Sequence, residues 1–518
     1  MMRGVVSGNL SWPLEHAVRV HGDRPAVIEG ERQLTYRELG DRVARFGGAL
    51  DRLDVPRGAV VGALAGNIAA QLECWLAVPA YGRVINSLNH RLALGELAFM
   101  IDDSETHVLV ADDARLEVAV ALRDRCESLQ HVVHAGDAQC PDGCVPYESL
   151  LEQSVASRLP DPPGDALAAI SFTGGTTGRP KGVMLSHANL VANAKHFLFT
   201  DALTPEDRYV HAAPMFHAAG STMVFCVTWA GGTHILVDRF DLPRVIEAVE
   251  RDGATVLVLV PTMIQMLLDH LEQHPADLSG MRLLHYAAAP MSEKLLERAM
   301  RTLSCEFLHG YGMTEAAPGV TYLSPADHRN GRHLRSVGHA IPGVQVEIRD
   351  PLGRPLPDGE IGEVCVRGPN IMLGYWNRAE ATAEALSADG WYRTGDAGHL
   401  DGGYLYLADR LKDMIVSGGE NVYSIEVENV IASHPAVREV AVVARPDERW
   451  GERVHAIVVA EPGAELHAAT VVEHCRPHIA GFKLPRSVEF RDEPLPKSGA
   501  GKVLKTQLRD QAGELRSP

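Results

Sequence analysis

Apolar residues along this chain fall into short continuous runs, and between the runs they recur every three or four positions. "AVVGALAG" (59–66), "HVLVAD" (107–112), "THILVD" (233–238), "ATVLVLVP" (254–261) and "MRLLHYAAAP" (281–290) each read as a buried strand. The segments between them have helical spacing. Strands alternating with helices predict a layered α/β fold. Beyond about Gly338 the texture changes to Gly- and Pro-punctuated alternation, as in "GVQVEIRDPLGRPLPDGEIGEVCVRG" (343–368), which predicts antiparallel hairpins and a β-rich subdomain. After "GYLYLADRLKDMIVSGGENVYS" (403–424) come a helix, the strands "VREVAVVARP" and "ERVHAIVVA", a second helix and a polar tail. The chain is therefore divided near Arg410, into residues 1–410 and a small α+β domain, 411–518.

Composition narrows the function classes. At 518 residues the chain exceeds what one hydrophobic core organises. Its 46% hydrophobic and 22% charged residues match a folded globular protein. A formal net charge of -18 opposes a nucleic-acid partner, because phosphate backbones are held by basic surfaces. Any anionic ligand must then be met by local groups. The eight cysteines are scattered and the start, "MMRGVVSGNLSWPL", lacks a sustained apolar core, so a reducing cytoplasm is expected. The longest apolar stretch is broken by Pro261, so no membrane span is expected. Cys140 and Cys144 lie near His131 and His134, but the alternation there reads as a strand entering a turn rather than a metal site.

The stretch "SFTGGTTGRPKGVMLSH" (171–187) crowds Gly174, Gly175 and Gly178 with Thr173, Thr176, Thr177 and Lys181 between two apolar runs. A Walker loop would place Gly-Lys-Ser or Gly-Lys-Thr at the start of a helix, whereas Pro180 here separates Lys181 from the glycines and "GVMLSH" alternates like a strand. The loop is expected to join two strands. Its backbone N–H groups, hydroxyls and lysine suit polyphosphate, and a ligand-free hairpin is the plain alternative.

Further motifs follow in order: "PMFH" (214–217), "YGMTE" (311–315), "WYRTGD" (391–396), "DRLKD" (409–413) and "PKSGAGK" (496–502). With this set the sequence resembles the adenylate-forming superfamily of acyl-CoA synthetases, aryl-CoA ligases, luciferases and peptide-synthetase adenylation domains, over essentially its whole length. The resemblance implies ATP, Mg2+ and CoA as cofactor or co-substrates. It implies catalytic roles for Lys502, Thr176, Glu315 and His217, with Thr176 and Glu315 facing the metal. It assigns the nucleotide to the glycine loop, Ala288, Ala289, Pro290, Gly310, Tyr311, Gly312, Met313, Thr314, Asp396 and Arg410. Tyr311 would stack on adenine and Asp396 accept from the ribose hydroxyls. Lys412 would be the hinge about which a mobile small domain turns between half-reactions, exchanging the Lys502 loop for the face of Gly418 and Gly419. Trp450, Phe482 and Lys483 resemble the CoA-facing part of such ligases.

The implied reaction joins an acid to AMP with loss of pyrophosphate, then passes the acyl group to a thiol. Amino-acid-activating relatives carry aspartate where this chain has His217, which disfavours amino acids. Acetate-activating relatives carry tryptophan where it has Gly312, so an open channel is expected, lined by His217, Ala218, Ala219, Gly220, Ala287, Ala288 and Ala289. The acid is then a medium- or long-chain fatty acid or an aryl or arylalkenoic acid. Loading of a carrier protein in place of CoA is the alternative; an oxygenase and a non-enzymatic binding module are weaker readings. A monomer or homodimer is expected.

Overall fold

A computed structural model describes residues 8–173, 180–289, 291–411, 413–497 and 502–514 of the chain. Among the described residues the backbone pairs into four sheets. The central strands of the first, Glu306–Gly312, Leu283–Ala287, Val256–Leu259, Arg208–His211, Thr233–Leu236 and Pro25–Glu29, lie in that order and all run parallel. The second has a parallel heart of Val84–Ser87, Val60–Leu64, Thr106–Ala111 and His131–His134. Their continuous apolar runs are what strands covered on both faces require. The layered α/β expectation holds.

Two helices pack on the face of the first sheet that carries Leu283 and Leu308. The helix His187–Thr200 starts where Ser186 and Asn189 cap each other: the Ser186 Oγ accepts the Asn189 N–H at 3.1 Å and Asn189 Oδ1 accepts the Ser186 N–H at 2.9 Å. The helix Ala218–Ala230 is apolar nearly all round because it is buried from Gly220 to Thr228, and it stops at Gly231 in the left-handed region, φ 75°. No helix among the described residues is long and apolar enough to cross a membrane.

The hairpins expected after Gly338 form a four-stranded antiparallel sheet of Gln345–Arg349, Gly362–Arg367, Tyr392–Asp401 and Tyr404–Arg410. The strands beyond Arg410 make a separate sheet around the long pair Val437–Asp447 and Gly451–Ala460, with its own core of Ile415, Val422, Val427, Ile431, Val442 and Val454. The strand Ser487–Arg491, parallel to Gly451–Ala460, has no counterpart in the sequence reading. It is an edge strand, half-buried at most, so its apolar alternation is weak.

Charged groups fasten the junction between the last two sheets. Asp409 accepts the backbone N–H of Ser424, at the start of the helix Ser424–Ala432. The Lys505 ammonium reaches Glu428 at 2.7 Å and the Ser424 hydroxyl, and Arg509 pairs with Asp413. Burial opposes the charge on Lys505, but Glu428 and Asp409 outweigh it and hold the ammonium above its ordinary value. Burial raises both carboxyls. On the opposite side, Lys294 donates to the Pro435 carbonyl at 3.3 Å and lies 3.9 Å from Glu461.

Candidate active site

The glycine loop does join two strands. Leu167–Thr173 and Lys181–Ser186, which flank it, pair antiparallel in the second sheet, with Thr173 opposite Lys181. Gly174, Gly175, Thr176, Thr177 and Gly178 lie outside the described residues, as do Pro290 and Lys412. Lys181 is half-buried with its ammonium 5.0 Å from the centre of the Tyr375 ring.

At the C-terminal ends of Leu283–Ala287 and Glu306–Gly312 otherwise buried chain becomes half-exposed, which marks the candidate cleft. His217, Ala218, Ala219, Ala287, Ala288, Ala289 and the run Gly310–Glu315 are all partly exposed there. Carboxyl ends of parallel strands are where α/β sheets hold ligands. Ala288 has a left-handed backbone, φ 72°, uncommon for a residue with a Cβ and a source of local strain.

Three predicted residues meet in this cleft. The Tyr311 hydroxyl donates to Asp396 Oδ2 at 2.6 Å, and Arg410 Nε lies 3.2 Å from Asp396 Oδ1. Register explains the second contact, since Asp396 and Arg410 face each other across the Tyr392–Asp401 and Tyr404–Arg410 pair. Burial and then the Asp396 charge hold the Tyr311 phenol well above its ordinary value, so it stays a donor. Arg410 is raised too: burial works against its charge, and Asp396 with Tyr311 more than offsets this.

Glu315 stands in the short turn Thr314–Ala316, where its Oε1 accepts the Tyr375 hydroxyl at 2.9 Å. Tyr375 thus touches both a phosphate-loop cation and an acid assigned to metal, and the sequence reading missed it. Its position is fixed by Gly374, φ 145°, where a Cβ would lie 2.7 Å from a Thr382 methyl, and by the bond from its own N–H to the Thr382 hydroxyl at 2.9 Å. A "GY" pair in a strand is a weak signal, but glycine at such a φ marks a close approach. For magnesium the donor chemistry fits. A single carboxylate oriented by a phenol suffices for an ion that keeps several waters and takes substrate phosphate oxygens.

A family model described as "AMP-binding enzyme" matches residues 14–376, and one described as "AMP-binding enzyme C-terminal domain" matches residues 426–502. The chain belongs to the AMP-binding enzyme family. It is an AMP-forming acid–thiol ligase. A feruloyl-CoA synthase of Amycolatopsis sp is 41% identical to it, over 97% of this chain and 99% of that one. An indoleacetate–CoA ligase of Aromatoleum aromaticum is 37% identical, over 96% and 97%. ATP-bound MatB from Rhodopseudomonas palustris superposes with a TM-score of 0.89 at 32% identity, covering 98% of this chain and 99% of that one.

Two glycines of this AMP-binding enzyme, Gly312 and Gly220, sit in close backbone contacts. A Cβ on Gly312 would lie 1.8 Å from the Pro318 carbonyl oxygen, because the chain bulges at Tyr311 and Gly312 and folds back through the Met313 N–H to Pro318 carbonyl bond of 3.0 Å. The backbones of Gly312 and Pro318 therefore pack directly together, with no room for a side chain between them. Gly220 is buried, and its missing side chain faces the Pro214 carbonyl, 2.2 Å from a Cβ. Gly312→Trp is accordingly expected to displace this hairpin and lower the thermal midpoint, at a cost of about 1–3 kcal/mol or more, instead of converting the enzyme to short acids. Thermal unfolding followed beside relative rates on acetate and longer acids checks this; an unchanged midpoint with acetate preferred would restore the channel reading.

On the small domain, Gly418 and Trp450 come together. Gly418, φ 64°, would put a Cβ 2.6 Å from the Trp450 ring, and its N–H donates to the Trp450 carbonyl at 2.8 Å. Gly419, φ 85°, has open space beside it. The guanidinium groups of Arg486 and Arg449 lie 4.3 Å and 4.9 Å from the Trp450 ring, a cationic aromatic face the sequence reading only half identified. Phe482 is exposed, whereas Lys483 is held by Glu426 at 2.7 Å. Also unforeseen is the packing around Phe216, next to His217: His90 meets its ring edge-on at 5.0 Å and the Arg91 guanidinium lies 5.8 Å from it. Burial, then Arg115 and Arg91, pushes His90 down to about 4. "NHRL" lies far from His217 in the chain, and no local spacing ties the two together.

Proposed function

We propose that this enzyme is an ATP-dependent acid:CoA ligase whose acid is an aryl or arylalkenoic acid. The observation that carries the reading is the cleft in which Tyr311, Asp396 and Arg410 adjoin the small apolar wall of Ala287, Ala288, Ala289 and Gly310. The alignment with a feruloyl-CoA synthase and an indoleacetate–CoA ligase over nearly the whole chain supports an aromatic acid.

In the first step a carboxylate oxygen attacks the α-phosphorus of ATP, forming the mixed anhydride and releasing pyrophosphate. Asp396 accepts from the ribose hydroxyls, Tyr311 offers its face to adenine, and Thr173, Thr314, Lys181 and the glycine loop hold phosphate oxygens. Lys502 neutralises charge gathering between carboxylate and α-phosphate. Glu315 and Thr176 would hold magnesium, which would supply further neutralisation of phosphate charge. In the second step the CoA thiolate attacks the activated carbonyl and AMP leaves. The small domain, 411–518, turns at Lys412 between the steps; Gly418 and Gly419 then pass the pantetheine arm, and Trp450 with its arginines meets the nucleotide end of CoA.

Pyrophosphate release measured over benzoates, cinnamates, arylacetates and alkanoates, with product mass read after adding CoA or a holo carrier protein, tests this. Aryl substrates should give the highest kcat/KM and a CoA thioester. Turnover confined to alkanoates, or acyl transfer only to the carrier, would contradict it.

A further inference from the structure

The strand Leu283–Ala287 alternates its side chains. Leu284 and Tyr286 enter one core cluster, while Leu283 enters the cluster formed with the helices His187–Thr200 and Ala218–Ala230. His285 shares the face of Leu283 and Ala287, two residues deeper in the sheet than Ala287, about 7 Å along the strand. It therefore stands below the apolar wall of the cleft.

His285 is 2% exposed and stacks on Phe197 at 5.6 Å. Its Nδ1 lies 3.0 Å from Oδ2 of Asp201, which is 1% exposed and takes the Thr200 hydroxyl on Oδ1 at 2.8 Å. A carboxylate only accepts, so Nδ1 carries the hydrogen and the ring is fixed in orientation. Its Nε2 is aimed at the missing side chain of Gly310, 2.6 Å from where a Cβ would lie, and no hydrogen bond among the described residues reaches it. Gly310 stands opposite Ala287 in register, so the ring lies against its backbone at the half-exposed end of the two strands. A ligand that supplies this nitrogen with a partner gains a hydrogen bond.

We propose that the His285–Asp201 pair is the floor of the acyl cleft and selects an aryl acid carrying a hydroxyl at the end remote from its carboxylate. This rests on the aryl-acid reading above. A hydroxyl both donates and accepts, so it pairs with Nε2 whether or not that nitrogen bears a proton; a bare ring leaves Nε2 unpaired.

The test compares kcat/KM for 4-hydroxycinnamate against cinnamate and for 4-hydroxybenzoate against benzoate, in the unaltered enzyme, in His285→Leu and in Asp201→Asn. In the unaltered enzyme at least one hydroxylated acid should be preferred about 10- to 100-fold. His285→Leu should bring that ratio to near one, and Asp201→Asn should reduce it. A purely structural role would lower both rates together and keep the ratio, and that result overturns the proposal. Equal rates within both pairs in the unaltered enzyme overturn it too, whatever the variants do, and leave the aryl-acid reading standing. Activity on alkanoates alone would remove both.

Discussion

Lys502→Ala should lower formation of acyl adenylate from acid and ATP by about 10²- to 10³-fold while leaving conversion of a supplied acyl adenylate and CoA into thioester close to normal. The expectation rests on where the lysine stands. It is exposed, at the end of a loop closed by the Leu504 N–H to Pro496 carbonyl bond of 2.8 Å and by pairing of Lys497 with Val503. Thermal unfolding of the variant separates any loss of fold from the loss of chemistry. If the loop leaves the cleft before the thiol arrives, the second half-reaction does not need it. Equal loss in both halves would contradict domain rotation without touching the ligase assignment.

Three residues further on, Lys505→Ala should act in the opposite manner. Its side chain is 14% exposed and its partner Glu428 17%. Removing the ammonium leaves Glu428 and Asp409 as buried carboxylates without their cation, which costs about 3–5 kcal/mol. The small domain should unfold at lower temperature or denaturant, and both half-reactions that need it should fall together. Because the ammonium is raised in the folded state, its contribution is complete below the ordinary lysine pKa of about 10.4 and is lost only as pH rises through the lifted value. The titration of the lysine itself therefore adds no pH dependence to the penalty across neutral pH, whereas protonation of the raised Glu428 and Asp409 carboxyls should lessen it toward acid pH. Lys505→Met with Glu428→Leu should recover much of the stability. A single variant as stable as the parent would show that the cluster contributes nothing to the junction.

What the sequence made legible follows from physics that is local. Strands covered on both faces declare themselves as continuous apolar runs, so Val256–Leu259 and Leu283–Ala287 were readable, and the loop between Thr173 and Lys181 was readable as a hairpin from its flanks. Asp396, Tyr311 and Arg410 were legible through the order of their motifs, and the structure brings them within hydrogen-bonding reach. Contacts set by tertiary packing were not. Nothing near Tyr375 in the chain announces Glu315, and nothing in "YGMTE" reveals that the Pro318 carbonyl occupies the space beside Gly312. His285 looked like one more polar residue in a buried strand, because Asp201 and Gly310 are distant in the chain. The strand Ser487–Arg491 was hidden for a different reason, its small buried face.

The central claim is a two-step reaction through an acyl adenylate, and single-turnover mass analysis tests it most directly. Enzyme, ATP, magnesium and a 4-hydroxyaryl acid are mixed without CoA, quenched and analysed, and CoA is then added to a parallel sample. The account predicts pyrophosphate and acyl-AMP in amounts near that of the enzyme, followed on CoA addition by loss of the acyl-AMP and appearance of AMP and acyl-CoA in equal amounts. Formation of ADP and phosphate, or of acyl-CoA with no acyl-AMP ever detectable and no pyrophosphate released before CoA is present, would contradict it.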